Sequence, residues 1–134
     1  MKLEVGQQAV YERTFTAEDV RSFAELSGDK GIHHMRPDSK GRTMVQGLLT
    51  ATLPTKLGGD LNYIAREMEF QFVRPVFVGD TVRCKALVTK VERAEGRLNV
   101  AMEVVCRNQH GEEVLRGTTR GVIRLQADAS SPSP

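Results

Sequence analysis

Residues able to exchange protons with a bound molecule lie close together in the first third of the chain. Asp29 and His34 stand five positions apart, and His33 directly precedes His34. A carboxylate can take a proton from water, and the ordinary pKa of histidine lies near neutrality, so an imidazole can hold and return a proton. These residue types predict acid–base chemistry on a water molecule, with Asp29 as the base and a histidine that orients the same water and relays its proton.

Gly47 opens an apolar stretch that we expect to be helical. A glycine at a helix N-terminus presents a backbone N–H with no side chain in front of it, and the helix dipole there favours negative charge. Gly47 is therefore a candidate to bind an oxygen that becomes negative during a reaction.

The composition limits the classes of protein to consider. The 134 residues, 40% hydrophobic and 27% charged, fit one globular domain whose core needs no disulfide or structural metal. The net charge is +2 with both signs interspersed, which argues against nucleic-acid binding. No apolar segment approaches the roughly 20 residues of a membrane span, and no targeting segment is visible, so we expect no membrane contact and a cytoplasmic location.

The two cysteines, Cys84 and Cys106, form no CxxC motif and have no histidine at metal-ligand spacing. We expect both to be buried free thiols on inward-facing strand positions, a use that suits a reducing compartment. We expect neither a metal nor a cofactor.

Two helices should flank the acid–base residues. Thr16-Ala-Glu-Asp19 has the form of a capping box with Asp in place of the preferred Glu, and Gly28 is a natural helix stop. The segment 29–42 is rich in Gly, Pro, Asp and Ser without periodicity, so we expect an irregular loop. The helix that starts near Gly47 should be kinked or restarted at Pro54.

From Ala65 the apolar period changes to two, which predicts strands. They cover 65–72, 82–88, 98–106 and about 113–125, and the alternation slips near Lys90, as at a β-bulge. In the last strand Gly117 and Gly121 share one face, where we expect a close approach by another backbone, such as a helix crossing the sheet.

The order of these elements predicts an α+β domain over residues 1–126, with a helix packed on an antiparallel sheet. The last residues, 127–134, contain no hydrophobic residue larger than alanine, so we expect a disordered tail. Several α+β sandwiches share this order of elements.

The segment from Phe15 to Val82 resembles the MaoC-like family of (R)-specific enoyl-CoA hydratases. Phe15–Asp29 resembles the helix that leads to the family's catalytic aspartate, and Met44-Val-Gln-Gly47-Leu-Leu resembles the start of its central helix. Arg74-Pro-Val-Phe-Val-Gly-Asp80 resembles its strand-turn-strand phrase. The resemblance implies a single hotdog domain, in which an antiparallel sheet wraps around a central helix.

The resemblance also implies a reaction. The family's motif places an aspartate five residues before a histidine, as Asp29 precedes His34, so we rank His34 above His33. Gln46 and Gly47 stand where the family has His-Gly, and Thr55 resembles a helix serine of its site, so these three are the expected substrate-binding residues. The implied enzyme is a hydro-lyase that hydrates enoyl thioesters, or dehydrates 3-hydroxyacyl thioesters, of coenzyme A or acyl carrier protein.

The implied assembly is a homodimer or a higher homo-oligomer with the site between subunits, and the thioester carrier is part of the substrate. The Asn-Pro pair of the family's motif is missing, because the interval between Asp29 and His34 holds Lys30, Gly31, Ile32 and His33. Ile32-His33 could instead be the family's apolar-His pair after a one-residue deletion. Two other functions therefore stay open. One is a hotdog acyl-CoA thioesterase in which Asp29 activates water against the carbonyl. The other is a non-catalytic acyl-thioester-binding subunit.

Taken singly, each candidate has an ordinary structural explanation. An Asp after a helix-ending Gly is commonly a turn residue, adjacent histidines in a polar loop are commonly solvated, and a glycine can simply ease close packing. Their joint occurrence at the family's spacing favours a thioester site over a purely structural role.

Overall fold

The period-two alternation of the chain forms one antiparallel sheet in a computed structural model that describes residues 3–126. The strands are β1 Gln8–Thr14, β2 Tyr63–Phe72, β3 Thr81–Ala94, β4 Arg97–Arg107 and β5 Glu113–Arg124. Their order across the sheet is β1-β3-β4-β5-β2. The strand β2 therefore pairs with the distant β5 rather than with β3, its successor in the chain. The predicted tail, 127–134, lies outside the described residues.

Within residues 3–126, four helices accompany the sheet: α1 Ala17–Ser27, α2 Ile32–Met35, α3 Gly47–Thr50 and α4 Thr52–Asp60. The helices α3 and α4 form the central helical segment, which buries Leu49, Leu53 and Leu57 against the inner face of the sheet. The fold is an α+β hotdog, as expected from the resemblance.

The predicted ends of α1 are confirmed. The Thr16 side chain accepts a hydrogen bond from the Asp19 N–H (3.1 Å), and the Asp19 carboxylate accepts one from the Thr16 N–H (3.0 Å), which completes the capping box. Gly28 takes the left-handed conformation, with φ of 78°, and its N–H donates to the Ala24 carbonyl. The chain therefore leaves α1 at a fixed angle immediately before Asp29.

Pro54 interrupts the central helix, but one turn before its own position. Proline has no N–H to donate to the carbonyl four residues earlier, and its ring crowds that carbonyl. For Pro54 this residue is Thr50, the last residue of α3, and Ala51 separates α3 from α4. The Thr52 hydroxyl donates to the nearby Leu49 carbonyl (2.5 Å). The predicted restart is thus confirmed, and it leaves Gly47–Thr50 as a separate single turn.

The inner face of the sheet carries the predicted thiols. Cys84 on β3 and Cys106 on β4 are direct partners in the strand register, and both have an exposed fraction of 0%. The register of the same strand pair shifts between Val88 and Lys90, which confirms the predicted bulge.

The two glycines of β5 are closely approached, although not by a helix. A Cβ atom at Gly117 would overlap the carbonyl oxygen of Glu69, and one at Gly121 would overlap the carbonyl oxygen of Ile64. Both oxygens belong to the neighbouring strand β2. The expected helix crossing is therefore wrong, because the close contact is made within the sheet by β2.

Candidate active site

The segment 29–42, expected to be irregular throughout, contains the single helical turn α2. One turn is too short to show a helical period in the sequence. The His34 N–H donates to the Gly31 carbonyl (2.9 Å), which closes the turn. Because successive residues of a helix point about 100° apart, the two histidines face different surroundings.

His34 is enclosed, with an exposed fraction of 6%. Its Nδ1 lies 2.7 Å from the Met44 carbonyl oxygen, which can only accept, so Nδ1 carries a hydrogen. Met44 is itself held in place, since its N–H donates to the His33 carbonyl (3.0 Å) and it bridges to Phe77. The other ring nitrogen, Nε2, therefore carries a lone pair whenever the ring is neutral.

Asp29 stands where α1 ends. Its N–H donates to the Ser27 hydroxyl (3.0 Å), and its Oδ1 accepts from the Gly31 N–H at 3.4 Å. Its Oδ2 lies 3.5 Å from His34 Nε2, and its side chain is 47% exposed against 5% for His34. The carboxylate thus reaches solvent on one side and the buried imidazole on the other.

The facing atoms of Asp29 and neutral His34 are both acceptors. They cannot bond to each other in that state, and 3.5 Å leaves space for a water beside them to donate one hydrogen to each. Such a water keeps its oxygen lone pairs for attack. The geometry therefore suits activation of a water molecule.

A cavity of about 290 Å³ adjoins His34. It is lined by His33, His34, Met44, Val45, Gly47, Thr50, Phe72, Arg74, Pro75, Val76 and Val114. Most of these groups are apolar; the polar side chains are those of His33 and His34 on α2, Thr50 on α3, and Arg74 after β2. The cavity can hold an apolar chain with a reactive end at His34.

Gly47 lies in this wall as the first residue of α3. Its N–H precedes the helical bonds of the turn and has no acceptor among residues 3–126. A Cβ at Gly47 would lie 3.0 Å from the ring of Phe72, so glycine leaves room for the aromatic side chain that closes this end of the cavity. The structure therefore places Gly47, whose N–H has no acceptor among residues 3–126, in the wall of the cavity that His34 also lines.

His33 has a different position from His34. It is exposed, its ring centroid lies 3.9 Å from that of His34, and its ring occupies the space a Cβ at Gly31 would need. His33 lines the cavity, but the ring nitrogen that lies 3.5 Å from the Asp29 carboxylate is Nε2 of His34. The ranking of His34 above His33 stays a prediction that this geometry supports.

Gln46 and Thr55 are not brought into the cavity with His34. The Gln46 side chain is fully buried and turns towards α1, where its Nε2 donates to the Val20 carbonyl (3.0 Å). Thr55 is exposed on α4, and its hydroxyl donates to the Ala51 carbonyl (3.0 Å). Both side chains therefore have structural bonds, and a substrate contact for either stays a prediction without support from the described geometry.

Sequence reasoning missed Thr50, Phe72 and Arg74 as cavity residues. Thr50 follows Gly47 by three positions, a spacing that puts both residues on one helical face and could have indicated it. Phe72 and Arg74 reach the cavity through the pairing of β2 with β5, for which the sequence has no local signal.

Two further classes of site find no support in the described chain. Among residues 3–126, no three His, Cys, Asp or Glu side chains are grouped so that they could hold a metal ion. No helix within that range is long and apolar enough to cross a membrane.

Comparison with known proteins gives consistent relatives. Residues 5–116 match the model of the FAS1-like dehydratase domain region. A 3-hydroxybutyryl-CoA dehydratase of Methylorubrum extorquens is 31% identical over 84% of this chain and 75% of the relative. An (R)-specific enoyl-CoA hydratase of Aeromonas caviae is 36% identical over 65% of this chain and 72% of the relative. The solved (R)-hydratase of A. caviae, involved in PHA biosynthesis, aligns with a TM-score of 0.79 and 31% identity, over 92% of this chain and 98% of that one.

Proposed function

Because the chain belongs to the FAS1-like dehydratase family, with the MaoC-like hotdog fold, we propose that Asp29 and His34 add water reversibly to 2-enoyl thioesters. The enzyme is a hydro-lyase, acting as hydratase in one direction and as dehydratase in the other. The observation that carries the assignment of residues is the pair of acceptors formed by Asp29 Oδ2 and His34 Nε2, 3.5 Å apart beside the cavity.

The mechanism follows from the protonation states of the two residues. A water donates one hydrogen to the Asp29 carboxylate and the other to His34 Nε2. As its oxygen bonds to the β-carbon of the enoyl group, Asp29 takes the proton, and the double-bond electrons move towards the thioester oxygen as an enolate. The protonated pair then returns one proton to the α-carbon, which regenerates the carboxylate and completes the addition of one water.

The enolate oxygen needs a hydrogen-bond donor while it is negative. The Gly47 N–H has no acceptor among the described residues and lies in the wall of the same cavity. A donor held in place before the reaction stabilises developing charge without rearrangement. Gly47 is therefore the backbone donor that we assign to the thioester oxygen, and no metal or separate cofactor enters the scheme.

One assay tests the reaction class. Purified protein is mixed with crotonyl-CoA, and both the conjugated enoyl absorbance and the release of free thiol are followed. Hydration removes the absorbance without releasing thiol, whereas a thioesterase releases thiol. If neither signal appears with short or long enoyl chains on CoA or on carrier protein, the enzyme assignment fails, and a non-catalytic binding subunit becomes the better explanation.

The assignment of residues is tested by substitution. Asp29→Asn and His34→Ala should each lower kcat/KM for hydration by about 10²-fold or more, since each removes one of the groups that hold and deprotonate the water. The unfolding temperature should change little for Asp29→Asn, because that side chain is half exposed. The control is His110→Ala, which alters a histidine in the turn between β4 and β5 and should leave hydration unchanged.

The choice between the adjacent histidines is tested by the same assay. His33→Ala should retain most of the activity, because His33 makes no approach to Asp29 of the kind that His34 makes. An inactive His33→Ala variant together with an active His34→Ala variant would show that His33, and not His34, is the catalytic histidine.

We also propose that two copies of the chain associate, as the resemblance implies, and that they meet along β2. β2 is the last strand of the sheet, so within the described residues one of its edges is unpaired. It exposes Ile64, Met68 and Phe72, with exposed fractions of 42%, 47% and 52%. An unpaired apolar edge strand favours pairing with another strand. Phe72 also lines the cavity, so pairing there would bring a partner close to the site.

The compartment is proposed from the thiols. Cys84 and Cys106 are free and directly opposed in the core. Two free thiols on facing strand positions persist as thiols in a reducing environment, which is the basis for proposing a cytoplasmic location.

A further inference from the structure

Thr50 is a buried threonine whose hydroxyl has no partner in the part of the chain that the structure describes. Its exposed fraction is 2%, and its side chain has no hydrogen-bond partner among residues 3–126. The neighbouring threonines of α4 both donate to carbonyls of the preceding turn, Thr52 to Leu49 and Thr55 to Ala51. Thr50 therefore differs from Thr52 and Thr55, because its hydroxyl has no acceptor among residues 3–126.

The unpaired hydroxyl is not sealed inside the core. In the described range, the one enclosed side-chain oxygen or nitrogen without a partner is Gln46 Oε1, so the Thr50 oxygen keeps some accessible surface. Thr50 lines the cavity that also contains His34 and Gly47. The small exposed part of Thr50 accordingly meets the cavity rather than bulk solvent.

The helical geometry brings this hydroxyl towards Gly47. Side chains on a helix lean towards its N-terminus, so a residue lies over the turn that precedes it. Thr50 is three positions after Gly47 in α3, and Gly47 has no side chain to fill the space between them. The hydroxyl of Thr50 and the N–H of Gly47 therefore belong to one face of one turn.

We propose that Thr50 is a catalytic residue whose hydroxyl donates the second hydrogen bond to the thioester oxygen, beside the Gly47 N–H. The inference rests on the proposed hydration of enoyl thioesters and adds a side-chain donor to it. Burial of a hydroxyl without a partner costs free energy, and a ligand oxygen that enters the cavity would provide the missing partner.

The test compares two buried threonines, one whose hydroxyl has no hydrogen-bond partner among residues 3–126 (Thr50) and one whose hydroxyl has a partner (Thr119). Thr50→Val removes the unpaired hydroxyl at nearly constant shape, and Thr50→Ser keeps it. Thr119→Val is the matched control, because the buried Thr119 hydroxyl already bonds to the Tyr63 hydroxyl at 2.9 Å. For each variant, kcat and KM are measured with crotonyl-CoA, and the unfolding temperature is measured without ligand.

For Thr50→Val we expect kcat to fall by about 10²-fold with a smaller change in KM, because the bond strengthens as the oxygen becomes negative. Its unfolding temperature should be equal to or higher than that of the wild type. Thr50→Ser should retain most of the activity. Thr119→Val should show the opposite pattern, a lower unfolding temperature with an unchanged kcat.

Two outcomes would overturn the inference. One is a Thr50→Val enzyme with the wild-type kcat. The other is a Thr50→Val enzyme whose lost activity is matched by lost stability and is not restored in Thr50→Ser, which would show a structural role. Both differ from failure of the proposed function, in which the wild-type protein itself hydrates no enoyl thioester.

Discussion

A single hydrogen bond decides which nitrogen of His34 faces Asp29. If Nδ1 had no acceptor, the neutral ring could carry its hydrogen on Nε2 instead and donate it to the carboxylate, and the two residues would form a direct hydrogen bond. The Met44 carbonyl at 2.7 Å holds the hydrogen on the far side of the ring. The reactive state of the pair therefore depends on a backbone atom, and no substitution of the Met44 side chain removes that acceptor.

A second acidic residue, Asp19, has a structural role that pH should reveal. Its carboxylate accepts from Arg13 (2.7 Å) and from the Thr16 N–H, and these bonds, that of Arg13 first, lower the pKa of Asp19 below its usual 3.8. A carboxyl whose pKa is lower in the folded state stabilises the fold above its unfolded pKa. This contribution is lost as the pH falls below 3.8 and through the lower folded value.

We therefore expect Asp19→Asn to lower the free energy of unfolding by about 1 kcal/mol at pH 7, since a charged acceptor is replaced by a neutral one. The difference from the wild type should shrink as the pH falls below 3.8. Denaturant unfolding at pH 7 and at pH values below 3.8 measures this. Glu18→Gln, an exposed change in the same first turn, should have little effect at either pH, and an equal loss at both for Asp19→Asn would contradict the explanation.

At this scale the sequence predicts more about residue type than about orientation. The resemblance indicated Asp29 and His34, and the structure brings them within 3.5 Å because both lie in one short segment that starts after Gly28 and includes α2. The directions of the Gln46 and Thr50 side chains could not be predicted, because they depend on how α3 is rotated against α1 and the cavity. An unsatisfied hydroxyl is a property of tertiary contacts, and no sequence pattern reports it.

Among the elements, the short turn α3 has the clearest consequence for the site. Were the helix continuous from Gly47 to Asp60, Thr50 would be an interior residue with a helical neighbour on each side. Because Pro54 cannot bond to Thr50, the helix restarts, and the first turn is free to be oriented separately. The interruption therefore lets the donor turn face the cavity while α4 packs on the sheet.

The close contact between β2 and β5 predicts that replacing Gly117 by a larger residue destabilises the fold. Gly117→Ala should lower the free energy of unfolding by about 3 kcal/mol, because its Cβ would overlap the Glu69 carbonyl oxygen, a backbone atom that cannot move aside. The matched control is Gly59→Ala on α4, where a Cβ meets open space. That change should raise the unfolding free energy by about 0.5–1 kcal/mol, since alanine is the better helix former. Denaturant unfolding of both variants checks the pair, and an unaffected Gly117→Ala would disprove the close approach.

Sequence patterns predicted the elements better than their arrangement. The cap at Thr16, the stop at Gly28, the restart caused by Pro54 and the bulge near Lys90 all arise from local chemistry, and all four are confirmed. The pairing of β2 with β5 was not predictable in this way, because alternation shows which face of a strand is buried and not which strand lies beside it.

At the scale of the whole molecule, the two ends of the sheet differ. The edge strand β2 exposes three large apolar side chains, Ile64, Met68 and Phe72, whereas the edge strand β1 exposes mainly polar ones with Val10 as the exception. Ile64 and Val10 have the same exposed fraction, 42%, one on each edge. This match provides a controlled test of the proposed association.

The wild-type protein should sediment as twice its 14.9 kDa chain mass. Ile64→Glu should shift it towards the single chain, because a buried unpaired charge at a subunit interface is costly. Val10→Glu adds the same charge to the other edge and should leave the mass unchanged. Sedimentation equilibrium measures both, and a wild type that stays at the single-chain mass at all concentrations would refute association along β2.

The reaction of Cys84 and Cys106, which face each other on β3 and β4, with a thiol reagent should report how often the core opens. A thiol reagent attacks the thiolate, and the hydrogen bond between the two side chains together with burial raises the pKa of Cys106 far above its usual value. Both sulfurs lie on central strands of the core, and the chain contains only these two cysteines. Both side chains lie in the core on the inner face of the sheet, so thiol modification has to wait until the core that covers them opens, and under native conditions its rate measures how often this happens.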